Sequence, residues 1–143
     1  MDIGLIFGKA GRRNKKGEVL LMRIGAVFVP VVHLQKSIAF YRDVLELNHV
    51  GTWPEEMGAD FYFEEHKQYV SLVTVKEKQP LEFTVTDTYK NSYYNFTTDD
   101  LVAYHQSLKD KGVEVTDIYE HGPIEGFDFF DVDGNRFGVI VDK

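Results

Sequence analysis

Two stretches of this chain superimpose on each other, and the repeat narrows the possible folds more than any other feature. One begins Ile24-Gly25-Ala26-Val27-Phe28-Val29 and runs into a helical pattern from Leu34 to Leu47; the other begins Tyr93-Tyr94-Asn95-Phe96-Thr97 and runs into Leu101 to Gly112. In both, a short apolar strand passes through a polar turn into one amphipathic helix, and strand-like segments follow to the end of the half. Each half therefore reads β-α-β-β-β. A duplicated unit of this kind buries a face against its copy and builds a shared site between the two.

The helices are legible from periodicity. Leu34, Ile38, Tyr41 and Leu45 fall on one face of the first, while Lys36, Arg42, Asp43 and Glu46 point elsewhere. In the second, Leu101, Tyr104 and Leu108 repeat, with Asp99 and Asp100 as N-caps and Gly112 as the stop. Strands are expected at 24–31, 48–53, 59–65, 68–76, 113–119, 127–131 and 136–141, with the third and fourth forming a hairpin. The first is apolar throughout, as expected of a strand covered on both faces, and Pro30 predicts an interruption of its ladder. Asp133-Gly134-Asn135 reads as a tight turn. Residues 77–91 are the natural link between the halves, with a further strand at Leu81 to Val85.

Within 143 residues, this organisation gives one α+β domain over residues 22–143, with modules at about 22–80 and 91–143. The first 21 residues differ in charge, carrying five basic side chains against Asp2 and Glu18; the rest carries eleven basic against twenty-one acidic, a balance of −10. Lys16-Gly17-Glu18 is compatible with a purine-rich ribosome-binding sequence shortly before Met22. Residues 1–21 are accordingly expected to be a translated leader rather than native protein, or else a disordered basic arm. No small-residue cleavage site follows the basic cluster, so an export signal is not expected.

Composition excludes several classes. The chain has no cysteine, which rules out disulfides, thiolate metal sites and a cysteine nucleophile, and fits a cytoplasmic location. The acidic domain offers no basic stripe for nucleic acid or an anionic membrane, and its field favours cationic ligands. No Ser-His-Asp order, glycine-rich phosphate loop or H-E-x-x-H motif is present.

Three segments resemble the vicinal oxygen chelate superfamily, which includes glyoxalase I, bleomycin-resistance proteins, fosfomycin-resistance enzymes and extradiol dioxygenases. His33 to Leu47 is similar to the family's first helix, D-L-x-K-S-x-x-F-Y-x-x-V-L-G-L; Asn95 to Leu101 is similar to the opening of its second half. Phe129 to Arg136 is similar to its terminal F-x-D-P-D-G-N. The resemblance implies two tandem βαβββ modules forming a curled mixed sheet around a cleft, commonly in a homodimer. It leaves the reaction open, because one fold hosts many chemistries.

The family's metalloenzymes hold a divalent ion through cleft-facing His, Glu or Gln on the first and fourth strands of each half. Carried over, those places fall on Ala26 or Gly25, on Ser71 or Val73, on Tyr93, and on Gly138. The resemblance therefore implies no metal and no cofactor here. Alternation instead turns Ile24, Phe28, Ser71, Val73, Tyr93, Asn95 and Thr97 toward the cleft, and Phe28, Ser71, Tyr93 and Asn95 are the candidate ligand-binding residues. Equally, such side chains simply fill a small core.

His33 reads as a turn residue, His66 and His105 as solvated surface, and Glu64 and Glu65 as part of a charged turn. His121, in Glu120-His121-Gly122-Pro123, is placed at the cleft mouth as a candidate acid or base. The expected function is metal-independent binding or sequestration of a small, partly aromatic molecule, as in the bleomycin-resistance branch. The alternatives are a glyoxalase- or dioxygenase-like enzyme with an unorthodox metal site or an acid-base pair such as Tyr93 with His121, and a structural or regulatory dimer with a closed cleft.

Overall fold

A computed structural model describes residues 13, 15–19, 22–63 and 68–141. Most of the expected leader, together with Glu64, Glu65 and His66, lies outside the described residues. The described part of the leader is a small turn closed by an isolated bridge between Arg13 and Val19.

The first half consists of β1 (Ala26–Val31), α1 (Leu34–Ala39) continuing as a wider turn over Phe40–Val44, β2 (Asn48–Thr52), β3 (Gly58–Tyr62) and β4 (Tyr69–Thr74). A hairpin of β5 (Glu82–Thr86) and β6 (Tyr89–Ser92) follows. The second half is β7 (Asn95–Thr98), α2 (Leu101–Asp110), β8 (Tyr119–His121), β9 (Ile124–Phe130) and β10 (Arg136–Val141). The two four-stranded sheets have the orders β1-β4-β3-β2 and β7-β10-β9-β8. In each, the first strand of the half pairs parallel with its last, and the remaining pairs are antiparallel. Both halves thus adopt one topology, βαβββ, as the repeat requires.

One face of each sheet carries its helix and the core. Val29, Val31, Phe61, Val70 and Leu72 pack with Leu34, Ile38 and Tyr41; Phe127, Phe129, Phe137 and Val139 pack with Leu101 and Leu108. The aromatic rings meet at the junction of the halves, where Phe63 of the first stands 5.7 Å from Phe96 of the second.

Polar side chains bind the halves together at the β9–β10 turn. The buried Asp131 carboxylate accepts from the Tyr41 hydroxyl at 2.7 Å, from the backbone N–H of Asp133 and Asn135, and from the Asn135 amide. Asn135 also donates to the Pro30 carbonyl, and Asp133 accepts the Val32 N–H. The D-x-D-G-N segment therefore clamps its own turn onto the end of β1.

Several expectations are corrected by the structure. The ladder is not interrupted at Pro30: β1 is an edge strand of its sheet, its register with β4 runs unbroken through Pro30 and Val31, and the Gly25 and Val31 carbonyls accept from the N–H of Tyr69 and Val75. Alternation then leaves the proline on the open side, where its missing N–H costs nothing. Nor is β1 covered on both faces, since Phe28 is 54% exposed.

The first helix does not remain α-helical to Leu47. It widens at Phe40, where the Leu45 N–H bonds five residues back, and this re-aims the turn that carries Tyr41. The expected strand at 113–119 is also broken. Glu114 and Thr116 still exchange backbone bonds with β9, but the Thr116 hydroxyl takes the Asp128 N–H in place of its carbonyl, and β8 begins only at Tyr119.

Candidate functional site on the helix-free faces of the two sheets

Strand register defines the residues that face away from the helices. In the first half, Phe28 on β1 lies opposite Ser71 on β4, and Ser71 opposite Asp60 on β3. In the second, Asn95 on β7 lies opposite Gly138 on β10, and Gly138 opposite Asp128 on β9. These two rows are equivalent in the repeat, so Asp60 and Asp128 are counterparts, each on the third strand of its half.

The structure places the four sequence-derived candidates as follows. Phe28 and Tyr93 are well exposed, at 54% and 55%. Tyr93 precedes β7 and packs against Phe83 of the β5–β6 hairpin, with ring centroids 5.2 Å apart. Asn95 is exposed on β7. Ser71 is 4% exposed, and its hydroxyl donates to Asp60 at 2.7 Å. Register joins Phe28 to Ser71; Asn95 and Tyr93 belong to the other half.

Both aspartates escaped the sequence reading, although a signal was present: Asp60-Phe61-Tyr62 and Asp128-Phe129-Phe130 are the same pattern in the two copies. The phenylalanine in each is buried toward the helix, which by alternation turns the aspartate to the opposite face. Each carboxylate is held by an aromatic donor. The Trp53 indole N–H bonds Asp60 at 2.8 Å, and the Tyr119 hydroxyl bonds Asp128 at 3.0 Å. Burial, and then the Asp128 charge, push the Tyr119 phenol up to about 12.

Trp53 owes its position to its own loop. Its backbone N–H donates to the Gly58 carbonyl, its ring lies against Gly58, and a Cβ at that glycine would strike both the ring and the Leu72 carbonyl. Between them, Glu55 and Glu56 both take positive φ, 57° and 55°, a strained conformation for such residues.

The copies differ in countercharge. Arg136 lies 3.6 Å from Asp128 and 3.8 Å from Glu82 of the hairpin, with its guanidinium 5.0 Å from the Phe130 ring centroid. Its Nε is buried without a hydrogen-bond acceptor among the described residues. Among the described residues, no Lys, Arg or His forms an ion pair with Asp60.

The metal positions implied by the resemblance do not fit a divalent ion. Gly25, Ala26, Val73 and Gly138 offer no side-chain donor and the Ser71 hydroxyl is engaged by Asp60, which leaves the Tyr93 phenol alone, too few ligands to hold a divalent ion. No group of three or more His, Asp or Glu among the described residues is arranged to hold a metal. Of the histidines, His121 is exposed and lies edge-on to Tyr119, with no ring contact to Tyr93. His33 is an exposed turn residue facing Asp133. His105 is not solvated surface: it is half-buried, bonded to the Thr116 carbonyl at 2.8 Å and packed edge-on to Phe127. A separate depression of about 440 Å³ beside His33, Lys36 and Lys78 contains none of the candidate residues.

The model of the Glyoxalase/Bleomycin resistance protein/Dioxygenase superfamily matches residues 23–139. No curated protein matches the chain. Among solved structures, a superfamily member from Sphaerobacter thermophilus is 17% identical with a TM-score of 0.70, over 85% of this chain and 98% of its own. An antibiotic binding protein, TnmS3, from Streptomyces is 18% identical with a TM-score of 0.67, over 88% of this chain and 100% of its own. A lactoylglutathione lyase from Agrobacterium tumefaciens is 17% identical with a TM-score of 0.64, over 83% of this chain and 92% of its own. At these identities the likeness is one of fold.

Proposed function

We propose, from the premise that the chain belongs to the glyoxalase/bleomycin resistance protein/dioxygenase superfamily, that it binds or sequesters a small, partly aromatic molecule in the cleft between its two sheets, without a metal ion. The observation that carries this reading is the pairing of exposed aromatics on the helix-free face, Phe28 and Tyr93 above all, with metal positions that among the described residues supply no set of ligands for an ion. Rings exposed beside a few hydroxyls and carboxylates suit a planar ligand held by stacking and hydrogen bonds. An antibiotic binding protein among the similar structures supports a binding role, while the lyase among them is an enzyme of the same fold. For this chain binding is favoured because Tyr93 and His121, the candidate acid-base pair, make their ring contacts elsewhere.

The reading includes a homodimer, as is common in the family, and a cytoplasmic location, in keeping with a chain without cysteine. A thermal-shift screen of aromatic compounds tests it. A true ligand raises the melting temperature saturably, and Phe28→Ala and Tyr93→Ala remove that shift while the unliganded proteins still melt cooperatively. Undiminished affinity in both variants excludes the assigned cleft. Sedimentation of the same samples at monomer mass removes the dimer from the reading.

A further inference from the structure

We infer that the ligand carries a positive charge and that Asp60 is its counter-ion, an inference that rests on the cleft-binding reading above. The repeat itself supplies the comparison. At one position, on the same strand and face of each half, the protein places an aspartate with an aromatic hydrogen-bond donor. In the second half, Arg136 stands beside that carboxylate at 3.6 Å. In the first half, the partners of Asp60 among the described residues are neutral: the Trp53 indole N–H on Oδ2 and the Ser71 hydroxyl on Oδ1.

A carboxylate has room for about four acceptor contacts, and two are used here. The donors fix the orientation of the group without cancelling its charge, and each oxygen keeps capacity for a ligand. Asp60 is only partly buried, so it is within reach from the helix-free face.

The surroundings match a cationic occupant with apolar bulk. Tyr62 and Tyr69 form the next cross-strand pair on the same face, their rings 6.3 Å apart, and Phe28 lies across Ser71. An anion set among aromatic faces recognises an ammonium or amidinium group through charge-assisted hydrogen bonding and cation–π attraction. The chain's net charge of −7 adds a field of the same sense. The ligand class is thus an organic amine or amidine with an aromatic part.

The chain has one tryptophan, Trp53, and it touches the proposed counter-ion. Its indole N–H resonance in ¹⁵N-labelled protein reports directly on Asp60. The probes are 2-phenylethylammonium, 2-phenylethanol and phenylacetate, alike in shape and differing in charge, titrated to millimolar concentration with thermal shift as a second readout. The ammonium probe should move the indole resonance saturably and bind about tenfold more tightly than the alcohol, with phenylacetate weakest. Asp60→Asn, which keeps an acceptor oxygen, should reduce the ammonium affinity to that of the alcohol and leave the alcohol unchanged.

Equal binding of ammonium and alcohol by the unaltered protein overturns the counter-ion assignment and leaves cleft binding intact. So does ammonium binding that stabilises the protein without moving the indole resonance. Failure of all three probes to move the resonance or stabilise the protein overturns both this inference and the reading on which it rests. The charge comparison in the unaltered protein stands even if Asp60→Asn does not fold.

Discussion

Glu46 is held at φ 59°, in the left-handed region, where the chain turns from the widened end of α1 toward β2. In the helix pattern that the chain resembles, a glycine stands at this place, and the geometry gives the reason: a Cβ is unfavourable there by about 1 kcal/mol. The glutamate offers little in return. Its ion pair with Lys111 is long, 3.7 Å, with the glutamate side chain 78% exposed, and such pairs contribute little. Glu46→Gly should therefore stabilise the protein by about 0.5–1 kcal/mol, the released strain being partly offset by the greater freedom of glycine in the unfolded chain. Urea unfolding of the two proteins decides it; a glycine variant less stable than the parent would show that Glu46 makes a stronger contribution than its exposure allows.

Between β2 and β3, Trp53 and Gly58 act as one device. The glycine leaves room for the indole to lie flat, and the indole N–H then reaches Asp60. Gly58→Ala should push the indole off Asp60, moving the Trp53 fluorescence and indole resonance, and destabilise the protein by about 1–3 kcal/mol through overpacking. An unchanged indole resonance would mean that the ring is fixed by something other than this contact.

What was legible in such elements followed their periodicity. The apolar stripe of Leu34, Ile38 and Tyr41 announced α1, and alternation in β1 turned Phe28 outward, because both signals are local. The widening at Phe40 and the break at Thr116 were not legible, since each depends on hydrogen bonds whose partners are settled only when the chain is folded. His105 failed for the same reason: its place beside a helix stripe looked solvated until the Thr116 carbonyl and Phe127 closed over it. Asp60 and Asp128 were legible in principle, through the repeated D-F-aromatic pattern. Both stand on the third strand of their half, whereas the resemblance points to ligand positions on the first and fourth.

Across the whole molecule, three tyrosines couple folding to alkaline pH. Burial, and then Asp131, hold the Tyr41 phenol well above its ordinary value of 10.0. Burial, and then Glu46, push Tyr104 up to about 12; Tyr119 is likewise at about 12. In the unfolded chain all three ionise near pH 10. Their neutral folded forms therefore contribute stability in full below about pH 10, and that contribution is lost as the pH rises through the folded values, because the unfolded chain then binds fewer protons than the native one. Tyr41 stands apart, since its hydroxyl bonds Asp131 across the two halves, in the same turn whose Asp133 and Asn135 clamp onto the end of β1. A urea titration repeated at increasing pH should show stability flat up to about pH 10 and then falling, by as much as about 1.4 kcal/mol per pH unit for each proton by which the states differ. Tyr41→Phe should lower stability by about 1–2 kcal/mol at neutral pH through the lost bond and make the alkaline fall shallower. An alkaline slope identical in the two proteins would show that Tyr41 ionises no later in the folded protein than in the unfolded chain, and that its burial against Asp131 does not couple the halves to pH.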